Sequence, residues 1–167
     1  MKKNILLSML TGLILIALPA AVLGKPGFTI AMVMGQEGET LYSQQAVKEI
    51  NTLLSNRVRV EYRQVQIDPE KEDEAARVIF GLMADDTVDC ILGIGIEASE
   101  LLVRQNRYTR PTIAATILDH RLQGLPMTAR GSSGIKNFNY IQSPFDIEKD
   151  LRVFKTLCDF KHLSILG

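Results

Sequence analysis

Apolar residues in this chain form short continuous runs separated by segments with helical spacing. The runs at residues 28–34, 90–94 and 112–118 contain almost no polar alternation. A continuous apolar run indicates a strand buried on both faces, and such strands belong mostly to parallel sheets covered by helices. The three runs therefore predict the inner strands of an α/β domain, with residues 90–94 as the central strand.

Two further strands are predicted with less regular patterns. Partial alternation over residues 58–65 suits an edge strand, and residues 135–142 follow the turn cluster Gly131-Ser132-Ser133-Gly134. Helical spacing predicts helices over residues 40–55, from Asp68 to Asp85, and over residues 98–107. The inward face of the second helix is predicted to consist of Ala75, Ala76, Ile79, Phe80, Leu82 and Met83.

The last part of the chain predicts one more helix and one more strand. Pro144 fits the first turn of a helix, and residues 162–166 are apolar enough for a sixth strand. The apolar face of this helix is predicted to comprise Leu151, Phe154, Leu157 and Cys158. Together, the alternation of strands and helices predicts a parallel, right-handed, doubly wound sheet.

Ligands of doubly wound sheets bind outside the carboxyl ends of the strands, where the strand order reverses. We therefore expect ligand contacts from loops at these ends. The candidates are Gly35, Gln36, Glu37, Gly95, Ile96, Glu97, Ser99, Thr116 and Asp119. The turn at Gly95 also begins a helix, whose backbone N–H groups could hold an anion.

Three further candidates lie near the expected crossover, where their side chains could face the cleft: Asn137, Asn139 and Tyr140. Each candidate has a local alternative. An asparagine or Asp119 could serve a turn, and Tyr140 could be a core residue.

The first residues have the features of a secretory signal peptide. Lys2 and Lys3 precede an apolar run over residues 5–18, Pro19 ends it, and Val22-Leu23-Gly24 forms a cleavage-like site before Lys25. We expect cleavage after residue 24 and a periplasmic location. An uncleaved membrane anchor is the alternative, because the apolar run approaches the length of one membrane span.

Composition and motifs favour binding over catalysis. The chain has 19 acidic and 19 basic residues and no basic stripe, so we expect no nucleic-acid partner. It contains no P-loop and no Gly-x-Ser-x-Gly elbow. Gly93-Ile94-Gly95 followed by Ala98 partly matches a dinucleotide-binding motif, but a strand-to-helix turn that needs small residues explains it better. We expect no cofactor and no enzymatic activity.

Few side chains are available for other chemistry. Asp119 and His120 could form an acid–base pair, although neighbouring loop residues usually point apart. His120 and His162 lack the spacing of metal ligands, so no metal site is expected. Cys90 and Cys158 could form a disulfide in an oxidising compartment, but two buried thiols are the favoured interpretation.

Three segments together resemble the ABC-transporter substrate-binding family with the type I periplasmic binding fold, which includes tryptophan- and tyrosine-binding members. Residues 88–102 are similar to its aspartate, apolar strand, small-residue turn and helix. Residues 111–125 are similar to its proline, strand, aspartate (Asp119) and Gly124-Leu125. Residues 134–167 are similar to its crossover, with Asp146 and Leu151 in the helix. The chain differs from the family at Ile96, where a hydroxyl residue is common, and at His120, where proline is common.

The resemblance implies a first lobe over residues 25–143 with strand order 2-1-3-4-5, followed by a crossover helix and the first strand of a second lobe over residues 144–167. It also implies a monomer that binds a small polar solute between two lobes and delivers it to a membrane permease. Two alternatives remain open: a periplasmic accessory or sensor domain of a transport or efflux system, and a small flavodoxin-like enzyme.

Overall fold

Five parallel strands form the centre of the fold. The structure, a computed structural model, describes residues 27–35, 40–54, 59–68, 70–143, 147–158 and 161–162. The strands are β1 (Phe28–Met34), β2 (Val60–Gln66), β3 (Cys90–Ile94), β4 (Thr112–Ile117) and β5 (Phe138–Gln142). The helices are α1 (Thr40–Leu54), α2 (Glu72–Ala84), α3 (Ile96–Val103) and α4 (Ile147–Cys158).

The strand order is β2-β1-β3-β4-β5, and all four pairings are parallel. The predicted doubly wound sheet and its strand order are therefore confirmed. The central strand is also confirmed, since all five residues of β3 are buried. Parallel strands need crossover connections of a dozen or more residues, and the helical segments between β1 and β4 supply them.

The two faces of the sheet carry separate hydrophobic clusters. On one face, Val33 and Ile91 pack with Ile79 of α2 and Leu102 of α3. On the other face, Met32, Leu92 and other strand residues pack with Ala46, Ile50 and Leu54 of α1. Because successive strand residues point to opposite faces, strands covered on both sides need apolar residues throughout. This requirement explains the unbroken apolar runs of β1 and β3.

The inward face of α2 is narrower than predicted. Ala75, Ile79, Leu82 and Met83 are buried, whereas Phe80 is 71% exposed. Each helical residue is rotated by about 100° from the previous one, so a residue that follows directly after Ile79 leaves the buried face. The prediction that Phe80 points inward was therefore wrong. α3 begins two residues earlier than predicted and ends at Val103.

A loop without a helix connects β4 to β5. It crosses from the carboxyl edge of the sheet back to the amino edge, and three of its glycines have positive φ. The Tyr140 hydroxyl donates to the carbonyl oxygen of Pro126 at 2.9 Å, and the Ser133 hydroxyl bonds to the carbonyl oxygen of Phe138. These contacts hold the loop against the sheet. β5 begins at Phe138, three residues later than predicted.

α4 follows β5 and exposes apolar side chains. Leu157 is 77% exposed and Phe154 is 47% exposed, although both were predicted to form an apolar face. Cys158 is also exposed, so the prediction of two buried thiols holds for Cys90 alone; both cysteines are free. The predicted signal peptide and nearly all of the sixth strand lie outside the described residues. Within the described ranges, no helix is long and apolar enough to span a membrane.

Candidate functional site

The strand order places a crevice between the carboxyl ends of β1 and β3. The chain leaves β1 towards β2 on one side, and it leaves β3 towards β4 on the other side. Met34 and Ile94 are register partners, so Gly35 and Gly95 follow their strands at the same level. Since the two connections diverge, the sheet is open to ligands at this position.

Two glycines shape the β3–α3 side of the crevice. Gly95 directly precedes the first residue of α3. Its φ is 89° and its ψ is 170°, a backbone conformation that residues other than glycine rarely adopt. A Cβ atom on Gly93 would lie 2.5 Å from Leu102 Cδ1 and 3.3 Å from the Ala98 carbonyl oxygen. The Gly93–Gly95 segment is therefore a strand-to-helix turn whose glycines allow a sharp bend and close helix packing.

The Glu97 side chain extends from α3 across the crevice towards the end of β1. A Cβ atom on Gly35 would lie 2.6 Å from Glu97 Oε2 and 3.6 Å from Glu97 Cβ. The Glu97 carboxylate thus occupies the space next to Gly35, which only a glycine leaves open. Glu97 itself is exposed, and so is its neighbour Ile96. Of the predicted candidates, the structure brings together Gly35, Gly95 and Glu97.

Ser99 holds the backbone instead of facing the crevice. Its side chain is fully buried, its hydroxyl accepts a hydrogen bond from the Thr116 N–H at 3.0 Å, and it approaches the Gly93 carbonyl oxygen at 3.5 Å. β3 pairs with β4 only as far as Ala114, so Thr116 needs a partner outside that ladder. The structure therefore contradicts the expectation that Ser99 contacts ligand. Thr116 is half-buried at the same point.

The carboxylate of Asp119 is occupied by its own turn. The side chain is 4% exposed and accepts hydrogen bonds from the Arg121 backbone N–H at 2.8 Å and from the Arg121 guanidinium at 3.2 Å. The hydrogen bond from the Arg121 side chain is the main reason that the pKa of Asp119 lies below its ordinary value. This is the local alternative stated above, a turn residue, and its buried position leaves little surface for ligand.

His120 and Gln142 form a polar pair on the β4–β5 side of the same edge. The distance between His120 Nδ1 and Gln142 Oε1 is 2.7 Å. A glutamine carbonyl oxygen only accepts, so Nδ1 is the donor in this pair. The His120 ring also stacks on Tyr140 at 6.2 Å between centroids. Asp119 and His120 therefore have separate hydrogen-bond partners.

Sequence reasoning did not place His120 or Gln142 among the ligand-binding candidates. Both follow the same positional rule as the other candidates, because His120 comes shortly after β4 and Gln142 is the last residue of β5. The available signal was the strand end itself. The fifth strand was predicted to end at residue 142, so Gln142 met the same criterion as the other candidates.

Three candidates on β5 and the preceding turn lie away from the crevice. Asn137 is at the amino edge, where its carbonyl oxygen accepts from the Thr112 N–H and its amide donates to the Tyr108 carbonyl oxygen at 3.1 Å. Asn139 accepts from the Ser133 N–H at 3.1 Å. Tyr140 belongs to the core, where burial raises the pKa of its phenol. Because β5 runs from the amino edge to the carboxyl edge, only its last residues reach the ligand side.

The charges near this edge are unevenly compensated. Asp68 lies 3.2 Å from Lys71, and Asp119 lies 3.2 Å from Arg121. Among the described residues, no cation lies within ion-pair distance of Glu97. The candidates Gln36 and Glu37 fall outside the described residues. Within the same limits, no group of three histidine, cysteine or acidic side chains could hold a metal ion.

A shallow groove of about 440 Å³ lies one strand away from the crevice, at the carboxyl end of β2 and the start of α2. It is lined by Gln66, Ile67, Asp68, Lys71, Glu74, Ala75 and Val78. Its charged lining residues include the Asp68–Lys71 ion pair described above. The groove therefore extends the polar surface along the carboxyl edge of the sheet.

Comparison with known proteins gives only distant structural similarity. No family model and no curated protein matches the chain. A periplasmic ribose ABC transporter protein from Conexibacter woesei DSM 14684 is 19% identical, with a TM-score of 0.43, over 73% of this chain and 41% of that chain. A lysine decarboxylase from Francisella novicida is 16% identical, with a TM-score of 0.36, over 80% of this chain and 17% of that chain. The chain thus spans less than half the length of either protein.

Proposed function

We propose that this protein is a non-enzymatic solute-binding component of an ABC-type transport system, acting in the periplasm. A single observation carries the proposal: the order β2-β1-β3-β4-β5 places the point of strand-order reversal at a crevice bordered by Gly35, Gly95 and Glu97. Small polar solutes bind at such points in open α/β sheets. The solute would contact this edge and be enclosed from the opposite side by a second lobe through a hinge motion.

The polar side chains near the crevice support binding more than catalysis. A nucleophile needs an adjacent base, but the Ser99 hydroxyl is buried against backbone atoms. Burial raises the pKa of the Cys90 thiol to about 12, which keeps it protonated and unreactive at neutral pH. Asp119 is held by Arg121. We therefore propose binding without turnover and without a cofactor. We also propose that the protein acts as a monomer and interacts with a membrane permease.

The test is a thermal-shift and calorimetric screen of the full chain against small amines, polyols, sugars and carboxylates. A binding protein should be stabilised by one solute class in a concentration-dependent way, by about 2.7 kcal/mol at a hundredfold excess over Kd. His120→Ala should weaken that binding, while Arg77→Ala, an exposed change on α2, should not. Absence of stabilisation by every class would reject the proposal.

A periplasmic accessory domain is the second candidate, and the surface of α4 favours it. Val153, Phe154 and Leu157 are exposed apolar residues on this helix. Exposed apolar patches of this kind mark contacts with another protein segment. If no solute stabilises the chain, a stable protein partner whose binding is lost in Phe154→Asp and Leu157→Asp would favour the accessory role.

A further inference from the structure

We infer that Glu97 determines the charge of the ligand, so that the crevice selects a small organic cation bearing an amine over neutral or anionic solutes. The inference rests on the proposed function and names the ligand class of the same site. It concerns an acidic side chain at the position where the sequence alone suggested that helix N–H groups would attract an anion.

The first step is the position of the carboxylate. Oε2 of Glu97 lies 2.6 Å from the point that a Cβ of Gly35 would occupy, so the carboxylate stands between the ends of β1 and β3. A ligand that enters the crevice must therefore meet this group. Gly35 is buried and its missing side chain makes the space available.

The second step is the local charge balance. Glu97 lies in the first turn of α3, where an acidic residue complements the positive helix end. It is therefore unfavourable for an anionic ligand to approach the same N–H groups, because two negative charges would then share one helix terminus. A ligand ammonium group would instead meet the Glu97 carboxylate without adding a second negative charge.

The third step is the difference between Glu97 and two other carboxylates near this edge, those of Asp68 and Asp119. Lys71 neutralises Asp68 and Arg121 neutralises Asp119, each with 3.2 Å between the charged atoms. Within the described residues Glu97 forms no ion pair. Its charge is therefore available to a ligand in the crevice, and a charge-assisted hydrogen bond is the strongest kind that such a side chain can form.

The His120–Gln142 pair lies further along the same edge, at the ends of β4 and β5. Since β4 is two strands away from β1 in the sheet, the preference for a cation rests on Glu97. A carboxylate only accepts hydrogen bonds, and an amine donates up to three, so the two groups are complementary.

The experiment uses the full chain and three matched four-carbon series: putrescine and related amines, erythritol and related polyols, and succinate and related carboxylates. Calorimetry measures Kd at low and moderate salt. We expect binding of an amine, weakened by salt, and little binding of carboxylates. Glu97→Gln should weaken amine binding about tenfold or more, equivalent to about 1.4 kcal/mol, and Glu97→Lys should shift the preference towards carboxylates.

Two further variants make the result specific. Gly35→Ala should weaken amine binding in the same direction as Glu97→Gln, because the added Cβ displaces the carboxylate while Glu97 is retained. Glu100→Gln removes an equal charge from the same helix at an exposed position next to Arg104 and should leave Kd unchanged. Circular dichroism checks that all variants fold.

The possible failures are distinct. If a polyol or carboxylate binds and amines do not, the inference about Glu97 is overturned while the solute-binding function stands. If amines bind equally well to Glu97→Gln and to the unmodified chain, the inference is also overturned. If no series binds, the proposed function itself is rejected, and the inference with it.

Discussion

The turn after β3 and the loop after β4 end neighbouring strands at the same edge of the sheet, yet they use their polar residues in different ways. After β3, Ser99 is buried against backbone atoms, and Glu97 stays exposed in the crevice. After β4, Asp119 is buried and bonded to Arg121, whereas His120 turns to Gln142. Each region thus has one polar side chain that stabilises the fold and one that reaches the ligand side.

The comparison shows that a polar residue at a strand end is not by itself a ligand-binding residue. A buried polar group must be satisfied by hydrogen bonds, and in these two regions the partners are local backbone and side-chain groups. Ser99 and Asp119 are therefore needed for the shape of the edge. Glu97 and His120 are different. Their turns fix their positions, but polar atoms of both side chains remain accessible to a ligand.

The largest expected effect is that of Gly93→Ala on the β3–α3 region. The added Cβ would lie 2.5 Å from Leu102 Cδ1 and 3.3 Å from the Ala98 carbonyl oxygen. We expect the free energy of unfolding to fall by about 2–3 kcal/mol, measured by urea denaturation. Gly81→Ala is the control, because its Cβ would meet no atom within 4 Å; it should be neutral or slightly stabilising. Equal effects of the two changes would contradict the close packing of α3.

A smaller loss of stability is expected for Ser99→Ala. The change leaves the half-buried Thr116 N–H without its acceptor, which costs about 1–2 kcal/mol. Thermal or urea unfolding measures the loss. Thr52→Ala removes an exposed helical hydroxyl that also bonds to backbone and should change stability by much less. If Ser99→Ala instead weakened ligand binding with no loss of stability, the structural role of Ser99 would be wrong.

The pH dependence of stability tests the role of Asp119 in the loop after β4. Because the pKa of Asp119 is lower in the folded chain than its ordinary value of 3.8, ionisation of this group stabilises the fold above that value. The contribution is lost as the pH falls through the lower folded pKa. Asp119→Asn should therefore be less stable than the unmodified chain at neutral pH, and the difference should shrink below about pH 4. A constant difference across this range would argue against the Arg121 interaction. Asp150→Asn on α4 serves as control.

The smallest expected effect on stability is that of Glu97→Gln. Glu97 is exposed in the first turn of α3, so the change removes only its interaction with the positive helix end, about 0.3–1 kcal/mol. Urea unfolding and calorimetry measure the two effects. A nearly unchanged free energy of unfolding together with weaker ligand binding would show that Glu97 serves the ligand, unlike Ser99. A large loss of stability would show that Glu97, like Ser99, mainly supports the turn.

Much of the fold could be predicted from the sequence because its elements depend on local patterns. The apolar runs of β1, β3 and β4 require burial on both faces, which strands of parallel sheets covered by helices usually have. Phe80 was assigned wrongly because helical spacing alone does not define the width of the buried stripe. α4 was assigned correctly as a helix, yet Phe154 and Leu157 are exposed, because periodicity alone does not show how far a helix face is covered.

The candidate site was predictable at the level of strand ends and not at the level of side chains. Local sequence patterns are sufficient to predict the alternation of strands and helices, and with it the edge at which Gly35, Gly95 and Glu97 lie. The burial of Ser99 against Thr116, the position of Asn137 at the opposite edge and the position of Glu97 over Gly35 follow from the folded chain alone. These contacts join segments that are distant in the sequence, so sheet order, loop path and the close approach of α3 set the partners. Asp119 is different, because it bonds to Arg121 within its own turn.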